Sequence, residues 1–174
     1  NITYNAKMRR TSICGATETI LCHKDIAKQV LPNLLEKLLN AGCEVRGDND
    51  VASLSKKIKQ ASEKDWKKEY LDSIVSIKVV NSLNEAIKHI NDYSSKHTDA
   101  IITNSTKNAK LFLTEIESAI VMHNTSTQFS DGAEFGLGAE IGISTGKLHA
   151  RGPVSTQELT TYKYIVKGNG QLRQ

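Results

Sequence analysis

Cys14 lies in the segment Ser12-Ile-Cys-Gly15, between a stretch of helical character and a stretch of strand character. Attack on an acyl carbon needs a thiolate that is exposed, held by the backbone and able to leave again. A glycine directly after the cysteine suits this chemistry, because a substrate can approach closely and backbone N–H groups can face the developing oxyanion. A buried structural cysteine is the alternative for Cys14, and it is our interpretation of Cys22 and Cys43.

Arginine and hydroxyl side chains elsewhere have the chemistry to accompany such a nucleophile. Arg9 and Arg10 precede Cys14 by about one helical turn, and a guanidinium there can bind a phosphate or carboxylate through two N–H groups. Solvated arginines at a helix end are the alternative. Ser126 and Thr127 follow an apolar run, and hydroxyls at the carboxyl end of a strand suit an anionic substrate.

Glu69 is the acidic candidate, placed just before the β-branched run 74–80. A carboxylate supplies the paired acceptors that two ribose hydroxyls need. A solvated glutamate at the end of the charged run 63–69 is the alternative.

The sequence predicts neither a metal site nor a disulfide framework. The histidines are dispersed and lack metal-ligand spacing, at 23, 89, 97, 123 and 149. We expect His97 and His149 to be structural, as packing groups and turn-fixing hydrogen bonds. The chain has 3 cysteines at unrelated spacings, which is typical of a reducing compartment, so we expect a cytoplasmic protein.

Three strings of residues carry a family resemblance. They are the opening run Asn5-Ala-Lys-Met-Arg-Arg-Thr-Ser-Ile-Cys14, the Gly-rich run Phe135 to Pro153, and Leu159-Thr-Thr-Tyr-Lys-Tyr-Ile165. Together they closely resemble gamma-glutamyl phosphate reductase (glutamate-5-semialdehyde dehydrogenase), a proline-biosynthesis branch of the aldehyde dehydrogenase superfamily. The resemblance covers almost the whole chain but only the C-terminal, catalytic portion of that family. The sequence also starts without a Met, as a fragment would.

The resemblance implies an oxidoreductase that converts L-glutamyl 5-phosphate and NADPH to glutamate 5-semialdehyde, phosphate and NADP⁺. It makes Cys14 the nucleophile, with its own backbone N–H in the oxyanion hole. It assigns Arg10, Ser126 and Thr127 to the substrate and Glu69 to the nicotinamide ribose. Since the family's cofactor-binding domain has no counterpart in this sequence, we expect the isolated chain to bind NADPH weakly and to be inactive alone.

Some positions depart from the pattern that the family usually shows. Gly15 stands in place of an Asn, Gln128 in place of an Arg, and Ser155-Thr-Gln157 in place of Gly-Leu-Glu. The change at 128 removes a positive charge where a doubly anionic substrate is expected. A non-catalytic α/β remnant or assembly module, associating through its C-terminal strand, is therefore the alternative function. A different aldehyde dehydrogenase substrate is a third.

The segment Gly136-Leu-Gly-Ala-Glu-Ile-Gly142 imitates the glycine spacing of a dinucleotide-binding loop. No apolar strand leads into it and no βαβ unit follows it, so the sequence argues against a Rossmann phosphate loop. The family resemblance makes this segment an active-site wall.

Apolar periodicity predicts an α/β protein with an open sheet and helical crossovers. We expect one central sheet with strands near 18–23, 43–46, 74–80, 99–103 and 119–123, and helices at Asp25 to Gly42, 50–61, Ser82 to Tyr93 and Ser105 to Glu115. In the first of these helices Asp25 is the expected cap. Its apolar face is expected to comprise Ile26, Val30, Leu34, Leu35 and Leu38.

The C-terminal run Thr160 to Val166 alternates like an exposed strand that seeks a partner. In aldehyde dehydrogenases the corresponding segment extends a neighbouring subunit's sheet, so the resemblance implies a homo-oligomer or docking with a separate cofactor-binding chain. We expect a catalytic domain at 1–148 and a return segment with this oligomerisation strand at 149–174.

Bulk composition is that of a globular protein of 174 residues, with 39% hydrophobic and 24% charged residues. The net charge of +4 is mild and aromatic residues make up only 5%, so we expect no nucleic-acid partner. No apolar run approaches the ~18 residues of a membrane-spanning helix, and we expect no membrane partner. A small-molecule substrate is the expected ligand.

Overall fold

The computed structural model describes residues 1–174 and confirms the α/β class. The helices are α1 (Ile2–Met8), α2 (Lys24–Asn40), α3 (Asn49–Ala52), α4 (Leu83–Tyr93) and α5 (Thr106–Glu115). The strands are β1 (Thr19–His23), β2 (Glu44–Gly47), β3 (Lys59–Gln60), β4 (Ile74–Val80), β5 (Thr98–Ile101), β6 (Ile120–His123), β7 (Gly142–Ser144) and β8 (Gly152–Val154). Two short 3₁₀ turns lie at Glu63–Lys67 and Thr127–Phe129.

The strands form three separate hydrogen-bonded sheets. A parallel sheet has the order β1-β4-β2-β3, β5 and β6 form a second parallel pair, and β7 and β8 form an antiparallel hairpin. All five predicted core strands are present, but the expectation that they belong to one central sheet was wrong. The edge strands β1 and β5 are not hydrogen-bonded to each other, and residues of both line a cleft.

Helix α2 covers the larger sheet and supplies much of the core. Leu31 and Leu38 on the helix are almost completely buried, as are Val45, Val75 and Ile77 on the strands beneath. Burying such a side chain contributes about 1.5–3 kcal/mol, so this cluster is the main source of stability for the layer that carries the site.

The predicted face of α2 was partly wrong. Ile26 is 47% exposed and Val30 is 42% exposed, whereas Ala27 and Leu31 are buried beside the correctly predicted leucines. Both sets repeat at helical spacing, and only contact with the sheet selects between them. The cap also differs, because α2 begins at Lys24 and the Nδ1 of His23 accepts the N–H of Asp25 at 3.2 Å.

The predicted helix at 50–61 is reduced to the single turn α3. Asp48 caps it by accepting the N–H of Val51 at 3.0 Å, and its other oxygen accepts the N–H of Val79 at 2.8 Å. The chain then turns and enters the short strand β3. The Lys-rich sequence beyond Ser53 offers too few apolar positions to continue an amphipathic helix.

The C-terminal residues beyond β8 form no further helix or strand within the chain. The predicted strand Thr160 to Val166 has no hydrogen-bonded partner, and Tyr162, Tyr164 and Val166 are 79%, 84% and 90% exposed. A strand needs a neighbour for its backbone groups, so its pairing with another molecule stays a prediction. The predicted boundary at 148/149 lies within the β7–β8 hairpin and also stays a prediction. None of the helices combines the length and the apolar character needed to cross a membrane.

Candidate active site

Cys14 lies in the turn between α1 and β1, and its side chain is exposed. This is the position predicted from the sequence. The turn is fixed at its base by the N–H of Ala16, which donates to Ile13 at 3.0 Å, and by the N–H of Thr17, which donates to Ala6 of α1 at 3.0 Å. The thiol therefore stands on a short loop that is closed by its own backbone and tied back to α1.

The pKa of the Cys14 thiol is raised above its ordinary value, first by partial burial and next by the negative charge of Glu140. The backbone N–H groups of Gly15 and of Cys14 itself act in the opposite direction, because they face the thiolate. Glu69 contributes a smaller rise. When this sulphur attacks an acyl carbon, the oxyanion develops on the acyl oxygen of the substrate, next to the same two N–H groups.

A cleft of about 720 Å³ opens in front of Cys14. Glu69 and Thr127 line it together with Cys14, so residues far apart in sequence meet here. Glu69 is exposed, on the segment that joins the first 3₁₀ turn to β4. Arg10 and Ser126 are not among the residues that line this cleft.

The hydroxyls of Ser126 and Thr127 are engaged within the chain. Ser126 is buried and caps the second 3₁₀ turn, accepting the N–H of Gln128 at 3.4 Å. Thr127 donates from Oγ1 to the carbonyl of Gly15 at 2.7 Å, so the hydroxyl of Thr17, 3.0 Å from the same Oγ1, is the donor in that second contact. Thr127 thus supports the nucleophile loop from the cleft side.

Gln128 is buried and turned toward α1. Its Nε2 lies 3.3, 2.9 and 3.2 Å from the carbonyl oxygens of Asn5, Ala6 and Arg10, of which its two N–H groups can satisfy two at a time. Its Oε1 accepts from Nη1 of Arg9 at 3.2 Å. The amide of Gln128 therefore caps the end of α1. Gln128 replaces the Arg that the family usually has, but the guanidinium of Arg9 is bound to it and so keeps a positive charge at this place.

Gly15 permits the close approach of the second 3₁₀ turn to the nucleophile loop. A Cβ atom at this position would lie 3.1 Å from the carbonyl oxygen of Thr127 and 3.5 Å from the Cα of Gln128. A larger residue would have to push that turn back by a few tenths of an ångström. The glycine at position 15, where the family usually has an Asn, therefore fits the close packing of the second 3₁₀ turn.

The side chain of Arg10 is exposed, and only its backbone carbonyl takes part in the contacts around Gln128. No group of three or more His, Cys, Asp and Glu side chains is placed to hold a metal ion.

The sequence model described as the aldehyde dehydrogenase family matches residues 57–163. The chain belongs to the aldehyde dehydrogenase family. It is 58% identical over 173 residues to the gamma-glutamyl phosphate reductase of Rhodospirillum rubrum, which covers 99% of this chain and 40% of that protein. It is 62% identical over 169 residues to the enzyme of the same name from Sphingopyxis alaskensis, covering 97% and 39%.

Solved structures of aldehyde dehydrogenases are also similar to this chain. The gamma-glutamyl phosphate reductase of Thermotoga maritima superimposes with a TM-score of 0.94 at 48% identity, covering 99% of this chain and 42% of that one. An acetylating aldehyde dehydrogenase from Geobacillus thermoglucosidasius shares the fold with a TM-score of 0.71 at 14% identity, over 99% and 48%. The chain therefore spans about 40% of the length of the curated relatives it matches.

Glu140 and His97 influence the surroundings of Cys14 and were not predicted as functional residues. The Oε2 of Glu140 accepts the N–H of Gly132 at 2.7 Å, and its charge acts on Cys14 and on His97. His97 lines the cleft, its Nδ1 lies 2.7 Å from Oγ1 of Thr98, and its buried Nε2 has no partner in the chain. Burial lowers the pKa of His97. Dispersed single residues of this kind carry no spacing signal that could have revealed them.

Lys7 and Glu18 were also missed. Lys7 is completely buried within the opening string, and its Nζ lies 2.8 Å from Oε2 of Glu18. A buried lysine in a run that otherwise reads as an ordinary helix end has no sequence signature, because its partner lies in a different element.

Proposed function

We propose that the chain is the catalytic portion of an NADPH-dependent reductase that converts L-glutamyl 5-phosphate to glutamate 5-semialdehyde in proline biosynthesis. One observation carries the proposal. Cys14 stands exposed on the loop between α1 and β1, in the same cleft as the carboxylate of Glu69. The printed name of the relatives that match along almost the whole chain supports the choice of substrate.

In this proposal the Cys14 thiolate attacks the acyl carbon of the substrate and forms a tetrahedral oxyanion. The N–H groups of Cys14 and Gly15 stabilise that oxyanion. The bond from the acyl carbon to the phosphate oxygen then breaks, phosphate leaves, and a thioester remains on Cys14. Partial burial and the charge of Glu140 raise the pKa of the Cys14 thiol, and the thiol has to lose its proton before it attacks.

A nicotinamide cofactor, when bound, supplies the hydride that converts the thioester to the aldehyde. Reductases of this family use NAD(P), and the choice of NADPH is part of the proposal. Glu69 is exposed at the cleft beside Cys14 and fits the ribose next to the nicotinamide, where its two oxygens would accept two hydroxyls.

The residues present do not fit the pyrophosphate end of such a cofactor. Gly136 and Gly138 have φ values of +74° and +80°, but the next regular element is the strand β7 and not a helix whose N-terminus could face a phosphate. Weak binding of NADPH by the isolated chain is therefore our expectation.

For the substrate, we propose that Arg10 binds the acyl phosphate or the α-carboxylate. Its side chain is exposed next to the nucleophile loop, and Arg9 offers a second guanidinium there. Ser126 and Thr127 would contribute through backbone groups, because their hydroxyls already have partners.

Assembly through the C-terminal segment is the second candidate function. Tyr162, Tyr164, Ile165 and Val166 are each more than 70% exposed, which supports pairing of this segment with another copy or with a cofactor-binding chain. Three free cysteines support a cytoplasmic location.

A thioester trap tests the catalytic proposal. We expect L-glutamyl 5-phosphate to leave a glutamyl adduct on Cys14, detected by mass spectrometry of the intact and digested chain. The adduct should be absent from the Cys14→Ser variant and retained in Cys22→Ser. An adduct carried by Cys22 or Cys43, or none on any cysteine, would contradict the assignment.

A further inference from the structure

Lys7 is the most deeply buried charged side chain of the protein, with no exposed surface. Its only close ionic partner is Glu18, whose Oε2 lies 2.8 Å from the lysine Nζ and whose side chain is 17% exposed. A buried ion pair is costly to form unless its geometry and remaining hydrogen bonds are good. The attraction between the two charges alone therefore does not explain the pair, and the other contacts of Glu18 have to be considered.

The second oxygen of Glu18 holds the segment that carries Glu69. Oε1 accepts the N–H of Leu71 at 3.1 Å, two positions beyond Glu69 in the chain. Leu71 has a φ of +53°, a left-handed conformation that a leucine rarely adopts. A strained residue of this kind persists only where its surroundings fix it, and Glu18 provides such a contact.

The other end of the pair holds the nucleophile loop. Lys7 belongs to α1, from which the chain enters the loop with Cys14. Thr17, directly before Glu18, donates its N–H back to Ala6 of the same helix at 3.0 Å. The two oxygens of one carboxylate thus join the base of the Cys14 loop to the segment of Glu69.

We propose that Glu18, oriented by Lys7, is the positioning residue that sets the separation of Glu69 from Cys14 across the cleft. Neither residue touches a reacting atom, and both act through the N–H of Leu71. We call the Lys7–Glu18 pair with its bond to Leu71 the clamp. The inference rests on the proposed function, because the clamp would place the nicotinamide ribose, bound by Glu69, against the nucleophile Cys14.

Two double variants separate positioning from stability. The acceptor-retaining variant, Lys7→Met/Glu18→Gln, removes both charges and keeps an oxygen that accepts from Leu71. The acceptor-free variant, Lys7→Met/Glu18→Leu, removes both charges and also that acceptor. Neither variant leaves a buried charge unpaired, and an apolar pair of similar volume can replace a buried ion pair, so both are expected to fold.

Hydrogen exchange gives the first readout. The Leu71 amide should exchange at least about ten-fold faster in the acceptor-free variant than in the acceptor-retaining variant, while the Ile77 amide of β4 stays equally protected in both. Equal exchange of the Leu71 amide in the two double variants would overturn the proposal.

Alkylation of Cys14 by iodoacetamide gives the second readout. The charges that act on this thiol come from Glu69 and Glu140, with His97 beside both. Adding Glu69→Gln should speed alkylation at pH 8 by about two-fold in the acceptor-retaining background and leave it unchanged in the acceptor-free background. Adding Glu140→Gln should speed it in both backgrounds, as the matched control.

An equal effect of Glu69→Gln in the two backgrounds would overturn the clamp. Neither measurement needs substrate or cofactor. A failed thioester trap would therefore refute the reductase assignment while leaving the exchange and alkylation results to decide the geometry.

Discussion

Arg9 donates a hydrogen bond from Nη1 to Oε1 of Gln128 over 3.2 Å and so joins the end of α1 to the second 3₁₀ turn. The amide group of Gln128 completes the link through the carbonyls at the end of α1. Because Thr127 in the same turn donates to the nucleophile loop, the contact is part of the support of Cys14.

Replacing Gln128 with Ala should therefore destabilise the chain. The carbonyls of Asn5 and Ala6 keep the backbone donors of Arg9 and Thr17, but the carbonyl of Arg10 loses its donor, and a lost hydrogen bond costs about 0.5–1.5 kcal/mol. Urea unfolding should show a lower midpoint for Gln128→Ala and no change for Gln157→Ala, whose side chain is exposed. Equal midpoints for the two variants would mean that the amide does not cap the helix.

The reactivity of Cys14 should depend on the charge of Glu140. Because the pKa of the thiol is raised above its ordinary value, only a small fraction is thiolate at pH 8. Glu140→Gln removes a nearby negative charge, lowers that pKa and should speed alkylation at pH 8, with little change where the thiol is already fully ionised.

The rate should be followed by mass spectrometry across pH 7–11, with Glu134→Gln as the control. Glu134 is an exposed carboxylate directly before the Gly-rich run that contains Glu140. Faster alkylation in both variants alike would show that net charge and not the position of Glu140 controls the thiol.

His89 should make the protein less stable in mild acid. Burial against Trp66 and Tyr93 lowers the pKa of His89 from 6.5 to about 4, so the unfolded chain binds a proton more readily than the folded chain. Stability is therefore complete above the unfolded pKa and falls as the pH drops from about 6.5 towards 4.

The variant His89→Phe keeps the aromatic packing and has no titratable ring. The difference between its unfolding free energies at pH 7.5 and pH 5 should be smaller than that of the wild type by about 1–2 kcal/mol. His97, whose pKa is also lowered, contributes to the remaining slope. An unchanged pH dependence would place the acid-sensitive group elsewhere.

Removing residues 160–174 should abolish self-association. The segment exposes alternating tyrosine and aliphatic side chains and has no strand partner within the chain. Light scattering should give an oligomeric mass for the intact chain and a monomeric mass for the truncated one. A monomeric mass in both would remove the assembly role, while the fold should be unaffected because no core residue lies in the deleted part.

The elements that a local pattern encodes were predictable from the sequence. Strand β4 is rich in β-branched residues, and α4 opens with Ser82, which accepts the N–H of Glu85 as a serine N-cap does. The weak helix at 50–61 failed because its Lys-rich continuation lacks an apolar face. The position of Cys14 before the first strand followed from these neighbouring elements.

Contacts between distant residues were not predictable in the same way. The family pattern suggested that Gln128, in place of an Arg, removes a positive charge from an anion-binding site. The side chain of Gln128 instead points toward α1, and no sequence pattern predicts that direction. The pairing of Lys7 with Glu18, and the separation of β1 from β5, likewise depend on how whole layers pack.

Cys14 is the only exposed one of the three thiols, and Cys22 and Cys43 lie in the hydrophobic core. Burial raises the pKa of Cys43 from 9.0 to about 11, which suppresses its reaction further. A fluorophore or spin label added to the unmodified chain at moderate pH will therefore attach at one point. That point faces the cleft, so spectroscopy can follow the approach of a ligand or a second chain without engineered cysteines.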